Sequence, residues 1–125
     1  MEYIVHKRFK GNTLSGYKNI PALSICEAKN GIIFYDEKPI CVEKSENGHT
    51  FFARNDDGLG LERGKLISKI KQILNNSKNK KKWEKIWEDK KCQQYKRKDS
   101  EYWLWNHNFY MADINELSYI LNLIE

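Results

Sequence analysis

Apolar and polar residues alternate through EYIVHKRF, Glu2 to Phe9, the period of a strand with one buried face. The same period returns in LSICEAKNGIIFYDEKPICVEKS, Leu23 to Ser45, which breaks into three short strands. Asn30-Gly31 has the composition of a two-residue hairpin turn, and DEKP, Asp36 to Pro39, predicts a second, looser one. Residues 1–44 therefore predict an antiparallel β-meander of about four strands, with Cys26, Ile33, Tyr35 and Cys41 facing inward.

Beyond Ser45 the period lengthens. Ser45 is placed to cap a short helix running through HTFFARN, which Asp57, Gly58 and Gly60 then break. From Leu61, the residues Leu66, Ile67, Ile70, Ile73 and Leu74 recur at spacings of three and four, leaving Lys65, Lys69 and Lys71 toward solvent. NNSKN ends that helix and caps the next, where Trp83, Ile86 and Trp87 form an apolar stripe. Asp113 and Glu116 have the spacing of a capping box in its Asp variant, and Ile114, Leu117, Leu121 and Ile124 follow on one face. EYWLWNHNFYM, residues 101–111, has too many aromatics to show a period. The pattern predicts an α+β fold in one domain, 1–125, with a β-rich part (1–44) and a mainly helical part (45–125) of three or four helices.

The totals suit this. A chain of 125 residues with 40% hydrophobic and 13% aromatic content can bury one modest core. No apolar run approaches bilayer length and the N-terminus lacks the apolar stretch of a signal peptide, so a soluble, cytoplasmic protein is expected. Three widely spaced cysteines, Cys26, Cys41 and Cys92, point to buried free thiols rather than a disulfide or zinc framework.

The net charge of +5 is unevenly spread. Residues 1–60 carry 8 basic and 8 acidic side chains, residues 61–98 carry 14 and 4, and residues 99–125 carry none and 5. A basic middle is a candidate footprint for a nucleotide or nucleic acid, and it also fits plain solvated helix faces.

FFARNDDGLGLERGK, Phe51 to Lys65, concentrates the candidate chemistry. It fails as a calcium loop, because Leu59 falls where an oxygen ligand is needed, and as a phosphate-binding Walker loop, because Leu59 and Leu66 replace the glycine and the hydroxyl. Glycines ahead of a helix can expose backbone N–H groups to an anion. Arg54, Arg63, Lys65 and Lys69 would then contact phosphate, with Phe52, Trp103 or Trp105 stacking on a base. Asp56 and Asp57 oppose a phosphate, and an Asp-Gly turn capping the helix accounts for the same residues. His6, His49 and His107 have no metal-ligand spacing; His107 with the Asp pair is the one arrangement suited to a metal-dependent nuclease. Trp83 and Trp87, one turn apart, serve as core residues or as anchors of a partner interface. No catalytic residue, metal or cofactor is assigned.

MEYIVHKRFKG, SENGHTFFARNDDGLGLERGKL and YWLWNHNFY together resemble a family of small, mostly uncharacterised accessory proteins carried by phages and prophages of low-GC Gram-positive bacteria. The resemblance covers nearly the whole chain and implies an accessory role without naming an activity. Small size, the basic middle and the many aromatics then lead to the expectation of a non-enzymatic protein of the infected host's cytoplasm that antagonises anti-phage defence by sequestering a nucleotide signal or nucleic acid. An anti-CRISPR-type inhibitor binding a host protein is the alternative, and a nuclease the third. Self-association is expected, since a pocket shared between subunits encloses a small ligand better than one small domain.

Overall fold

The computed structural model describes residues 1–11, 13–16, 19–75, 80–97 and 105–125. It is α+β, an N-terminal antiparallel sheet followed by helices, and it divides into two compact units, Met1–Gly64 and Lys65–Glu125.

The first unit holds strands β1 (Glu2–Val5), β2 (Phe9–Lys10), β3 (Asn19–Ile20), β4 (Ile25–Lys29), β5 (Ile32–Tyr35) and β6 (Lys38–Val42). Helix α1 (Glu46–Phe51) and strand β7 (Phe52–Arg54) follow. Five strands pair antiparallel in the order β6-β5-β4-β1-β7, while β2 and β3 make a separate ribbon. The Asn30-Gly31 turn forms as expected, with both residues at positive φ, 52° and 80°. The second turn is tighter than DEKP suggested. Tyr35 pairs with Lys38, and Asp36 and Glu37 take φ of 51° and 62°, a left-handed conformation that their side chains make costly. Tyr35, beside that turn, is only half-buried rather than inward.

Two further expectations are corrected. EYIVHKRF is not one strand: β1 ends at Val5, and Phe9 pairs with Ile20 in the ribbon, both buried. The short helix does not run through HTFFARN. Ser45 caps it as expected, its Oγ accepting from Gly48 N at 3.0 Å, but at Phe52 the backbone turns extended (φ −115°, ψ 137°). Phe52, Ala53 and Arg54 then pair with Val5, Ile4 and Tyr3, so the open edge of β1 captures three residues that local pattern assigned to a helix. Cross-strand register sets the faces. Tyr3, Val5, Cys26, Ile33, Cys41 and Phe52 point into the core, and Ile25, Glu27, Lys29, Ile32, Phe34, Pro39 and Val42 point outward.

Helix α2 (Gly60–Leu74) begins in the first unit and continues into the second. The second unit adds α3 (Lys80–Glu88), a 3-10 turn (Lys91–Tyr95), α4 (His107–Met111) and α5 (Ile114–Ile124). Its core joins Ile67, Ile70 and Leu74 of α2 to Ile86, Cys92, Tyr95, Phe109 and the α5 residues Leu117, Ile120, Leu121 and Ile124. Leu66 and Ile73 pack against it, so the α2 stripe is as the spacing predicted. Asp113 caps α5, its Oδ1 accepting from Glu116 N at 2.9 Å, while the Glu116 carboxylate accepts from Tyr95 Oη at 2.5 Å. Asn106 caps α4 in the same way, accepting from Phe109 N. Of NNSKN, residues 76–79 lie outside the described residues. Trp83 Nε1 donates to Leu74 O at 2.8 Å and satisfies a carbonyl at the end of α2.

Candidate functional site

The loop from Arg54 to Lys65 is built by its own polar side chains. Asn55 ties it at both ends: Nδ2 donates to Glu2 Oε2 at 2.8 Å, and Oδ1 accepts from Gly60 N at 2.8 Å. Asp57 Oδ1 accepts from Leu59 N at 3.0 Å, and Gly58, at φ 79°, closes the turn by donating to Asn55 O. Side chains in the first turn of a helix tilt toward its N-terminus, which carries Arg63 back onto this loop. Its Nη1 donates to Asp57 Oδ1 (2.6 Å) and to Arg54 O (3.0 Å), and its Nη2 donates to Asp57 Oδ2 (2.5 Å). Arg63 is 0% exposed. It is a buried latch between helix, loop and edge strand.

The glycines serve the same packing. A Cβ on Gly60 would lie 2.5 Å from Ile4 Cγ2, and one on Gly64 would lie 2.6 Å from His6 Cβ. The first turn of α2 thus lies flush on β1 and the residue after it, and these two glycines are spent on close approach rather than on holding an anion.

The residues predicted to contact a ligand are therefore divided. Arg63 is committed to Asp57, and Phe52 is buried against Phe9, their ring centroids 6.0 Å apart. Neither faces a ligand, because helix tilt and strand pairing turn them inward. The Arg54 side chain is 23% exposed, with Nε buried, without a hydrogen bond, and 3.5 Å from Asp56 Oδ1. In the second unit, Lys65 and Lys69 are exposed on α2, and Lys69 Nζ lies 2.9 Å from Glu125 Oε1. Trp105 is half-buried and stacks on Phe109, with centroids 3.9 Å apart, and Trp83 lies beside it at 5.7 Å. Trp103 lies outside the described residues.

The ion pair has a pH signature. The Arg63 hydrogen bonds hold the Asp57 carboxyl well below the usual carboxylate range, against a smaller opposing effect of desolvation. A carboxyl depressed in the folded state stabilises it above the unfolded value, about 4, and that contribution is lost as pH falls below it. Urea unfolding from about pH 5 to about pH 2 should show the wild type losing its advantage over Asp57→Asn; a constant difference between them would contradict the pairing.

Other chemistry is muted. Burial pushes the Cys26 and Cys92 thiols up to about 12 and raises Cys41 as well, so none offers a thiolate near neutral pH. Burial, then a 2.6 Å hydrogen bond from Oη to Glu43 Oε2, raises the Tyr3 phenol. Among the described residues no group of three or more His, Cys, Asp or Glu side chains is placed to hold a metal ion. His107 opens α4 in the second unit, whereas Asp56 and Asp57 belong to the first and each faces an arginine.

The charge separates with the fold. The first unit carries 9 basic and 9 acidic residues, the second 13 and 8, so the whole surplus belongs to the second. There the two tryptophans of α3 part company. Trp83 goes to the core, and Trp87 stays 43% exposed with Lys96 Nζ 3.2 Å from its ring centroid. Lys81, Lys85, Lys90, Lys91 and Arg97 are exposed on the same α3-to-3-10 segment. The sequence signal for this group was the WEKIW pair inside the lysine run, but not which ring would face out.

Comparison with protein-family models, with curated proteins and with solved structures gives no match to this chain. Among the described residues no helix is long and apolar enough to cross a membrane.

Proposed function

We propose that this chain is a non-catalytic binding protein that holds a nucleic acid or nucleotide on the lysine-rich surface of its second unit. The observation that carries this is Trp87: a large ring 43% exposed, with Lys96 on it, within a segment whose exposed side chains are mostly cationic. An aromatic face offers a base a stacking platform and the lysines neutralise phosphates, which is how sequence-tolerant single-strand binders work. The anion site suggested for the 51–65 loop is given up, because Arg63 and Phe52 are buried. Lys65 and Lys69, exposed on α2, remain phosphate contacts. With the resemblance to phage accessory proteins, the role is sequestration of a defence signal or nucleic acid in the infected cell.

Fluorescence anisotropy with a labelled single-stranded oligonucleotide, competed by cyclic dinucleotides, tests it. Trp87→Ala should weaken binding by about tenfold, the worth of one stacked base, and Lys81→Glu with Lys85→Glu should weaken it and flatten its salt dependence. Absence of binding at low salt, or indifference to all three substitutions, would sink the proposal. The exposed Trp87 also favours a second reading, an inhibitor anchored on a host protein; a Trp87→Ala variant that loses a captured host protein while keeping oligonucleotide affinity would establish that instead.

A further inference from the structure

On β4, β5 and β6 the face of the sheet turned away from the core breaks the usual rule that an antiparallel sheet shows water its polar side chains, whereas over β1 the same face is covered by the first turn of α2. Two cross-strand rows lie next to each other on it. One is Lys29–Ile32–Val42 and the other is Glu27–Phe34–Pro39, each reading from β4 through β5 to β6. Val42 is 48% exposed and Ile25, next to Glu27 along β4, is 51% exposed, while Ile32, Phe34 and Pro39 are half-buried. Within these two rows the face is apolar on β5 and β6 and charged on β4, with opposite signs in the two rows.

That arrangement is self-complementary. A two-fold axis between the rows, perpendicular to the strands, exchanges one row for the other. Glu27 of one copy then lies over Lys29 of the second, Phe34 over Ile32, and Pro39 over Val42, and every contact occurs twice. A foreign partner would need a matching apolar block beside a matching pair of charges; a second copy supplies both. We propose that this chain forms a two-fold dimer, sheet face on sheet face, through β4, β5 and β6. Such faces pack about 10 Å apart and tolerate the modest rotation that sheet twist imposes. The dimer face draws on residues of the first unit alone.

Sedimentation velocity over a concentration series up to about 100 μM tests it, with circular dichroism confirming that each variant is folded. The wild type should pass from monomer to dimer. Val42→Lys should weaken association by at least about tenfold, since it puts a charge in the apolar row. Glu27→Lys sets a lysine against Lys29 at both symmetry-related contacts and should abolish the dimer, as should Lys29→Glu with the signs inverted. The combined Glu27→Lys, Lys29→Glu variant should restore it. Glu27 also lies 3.1 Å from the Met1 amino group at the exposed chain end, a pair too solvated to explain such a rescue. A monomer throughout the series, wild-type association in Val42→Lys, or a double variant no better than the single reversals would each overturn the proposal.

Discussion

Arg63→Ala is expected to destabilise the first unit by about 2–4 kcal/mol, the cost of emptying a fully buried site and unpairing the Arg54 carbonyl, while Asp57, whose side chain is 41% exposed, returns to water. The side chain is 0% exposed and its two terminal nitrogens donate to both carboxylate oxygens of Asp57 and to the Arg54 carbonyl at the edge of β7. Alanine leaves a guanidinium-sized void and strips donors from that carbonyl and from the loop. Arg63→Met separates the two effects. It fills most of the volume without a charge to satisfy, so its cost should be clearly smaller than that of alanine. Arg63→Lys keeps the charge but cannot reproduce the planar fork, and should fall between them. Urea unfolding followed by circular dichroism, with amide exchange at Asn55 to Gly60, gives the order directly. An alanine variant within about 1 kcal/mol of wild type would mean that the latch is ornamental.

How much of this was legible depends on the range over which each feature is decided. Asn30-Gly31, the Ser45 cap, the Asp113–Glu116 spacing and the α2 stripe were all readable, and all formed, because each is settled by neighbours within four or five positions. β7 was not readable. Three residues show no period, and only pairing with β1, some fifty positions away, makes them a strand. Asp36-Glu37 hid a tight turn because neither residue is the glycine that usually marks one.

The loop misled for a sharper reason. Arginines, glycines and aspartates around a helix start are the parts of an anion site, and they are equally the parts of a sealed joint. The first turn of α2 decides between the two. Its side chains tilt backward, so an arginine at the fourth helical position reaches an aspartate six residues before it. Local sequence did contain that signal, an acid just ahead of a helix with an arginine in its first turn. The burial that makes the pair structural comes from the fit of Gly60 and Gly64 against Ile4 and His6, which no local pattern reports. The WEKIW repeat posed the same problem. Both rings lie one turn apart, and the Trp83 bond to Leu74 O and its tilted contact with Trp105 draw one inward.

Phe109→Ala is expected to be the most damaging substitution in the second unit, at about 3–5 kcal/mol. Phe109 is 0% exposed, is the third residue of α4, and is the one aromatic of residues 105–111 that is fully buried. Its ring stacks on Trp105 at 3.9 Å and 15° and meets Tyr110 edge-on at 5.1 Å, so truncation removes area burial together with two ring contacts. A helix of five residues has little stability of its own and depends on that anchor. Loss of the ring should therefore free α4, and with it the hydrogen bonds from Asn106 Nδ2 to the Gln94 and Lys96 carbonyls. Lys96 is the residue that covers Trp87, so the damage should travel to the proposed binding surface. Phe109→Leu, which keeps most of the volume, should recover a large part of the stability and of oligonucleotide affinity alike. Thermal unfolding alongside tryptophan emission checks both points. Full stability in Phe109→Ala, or unchanged affinity in a variant whose α4 has come free, would show that α4 does not support that surface.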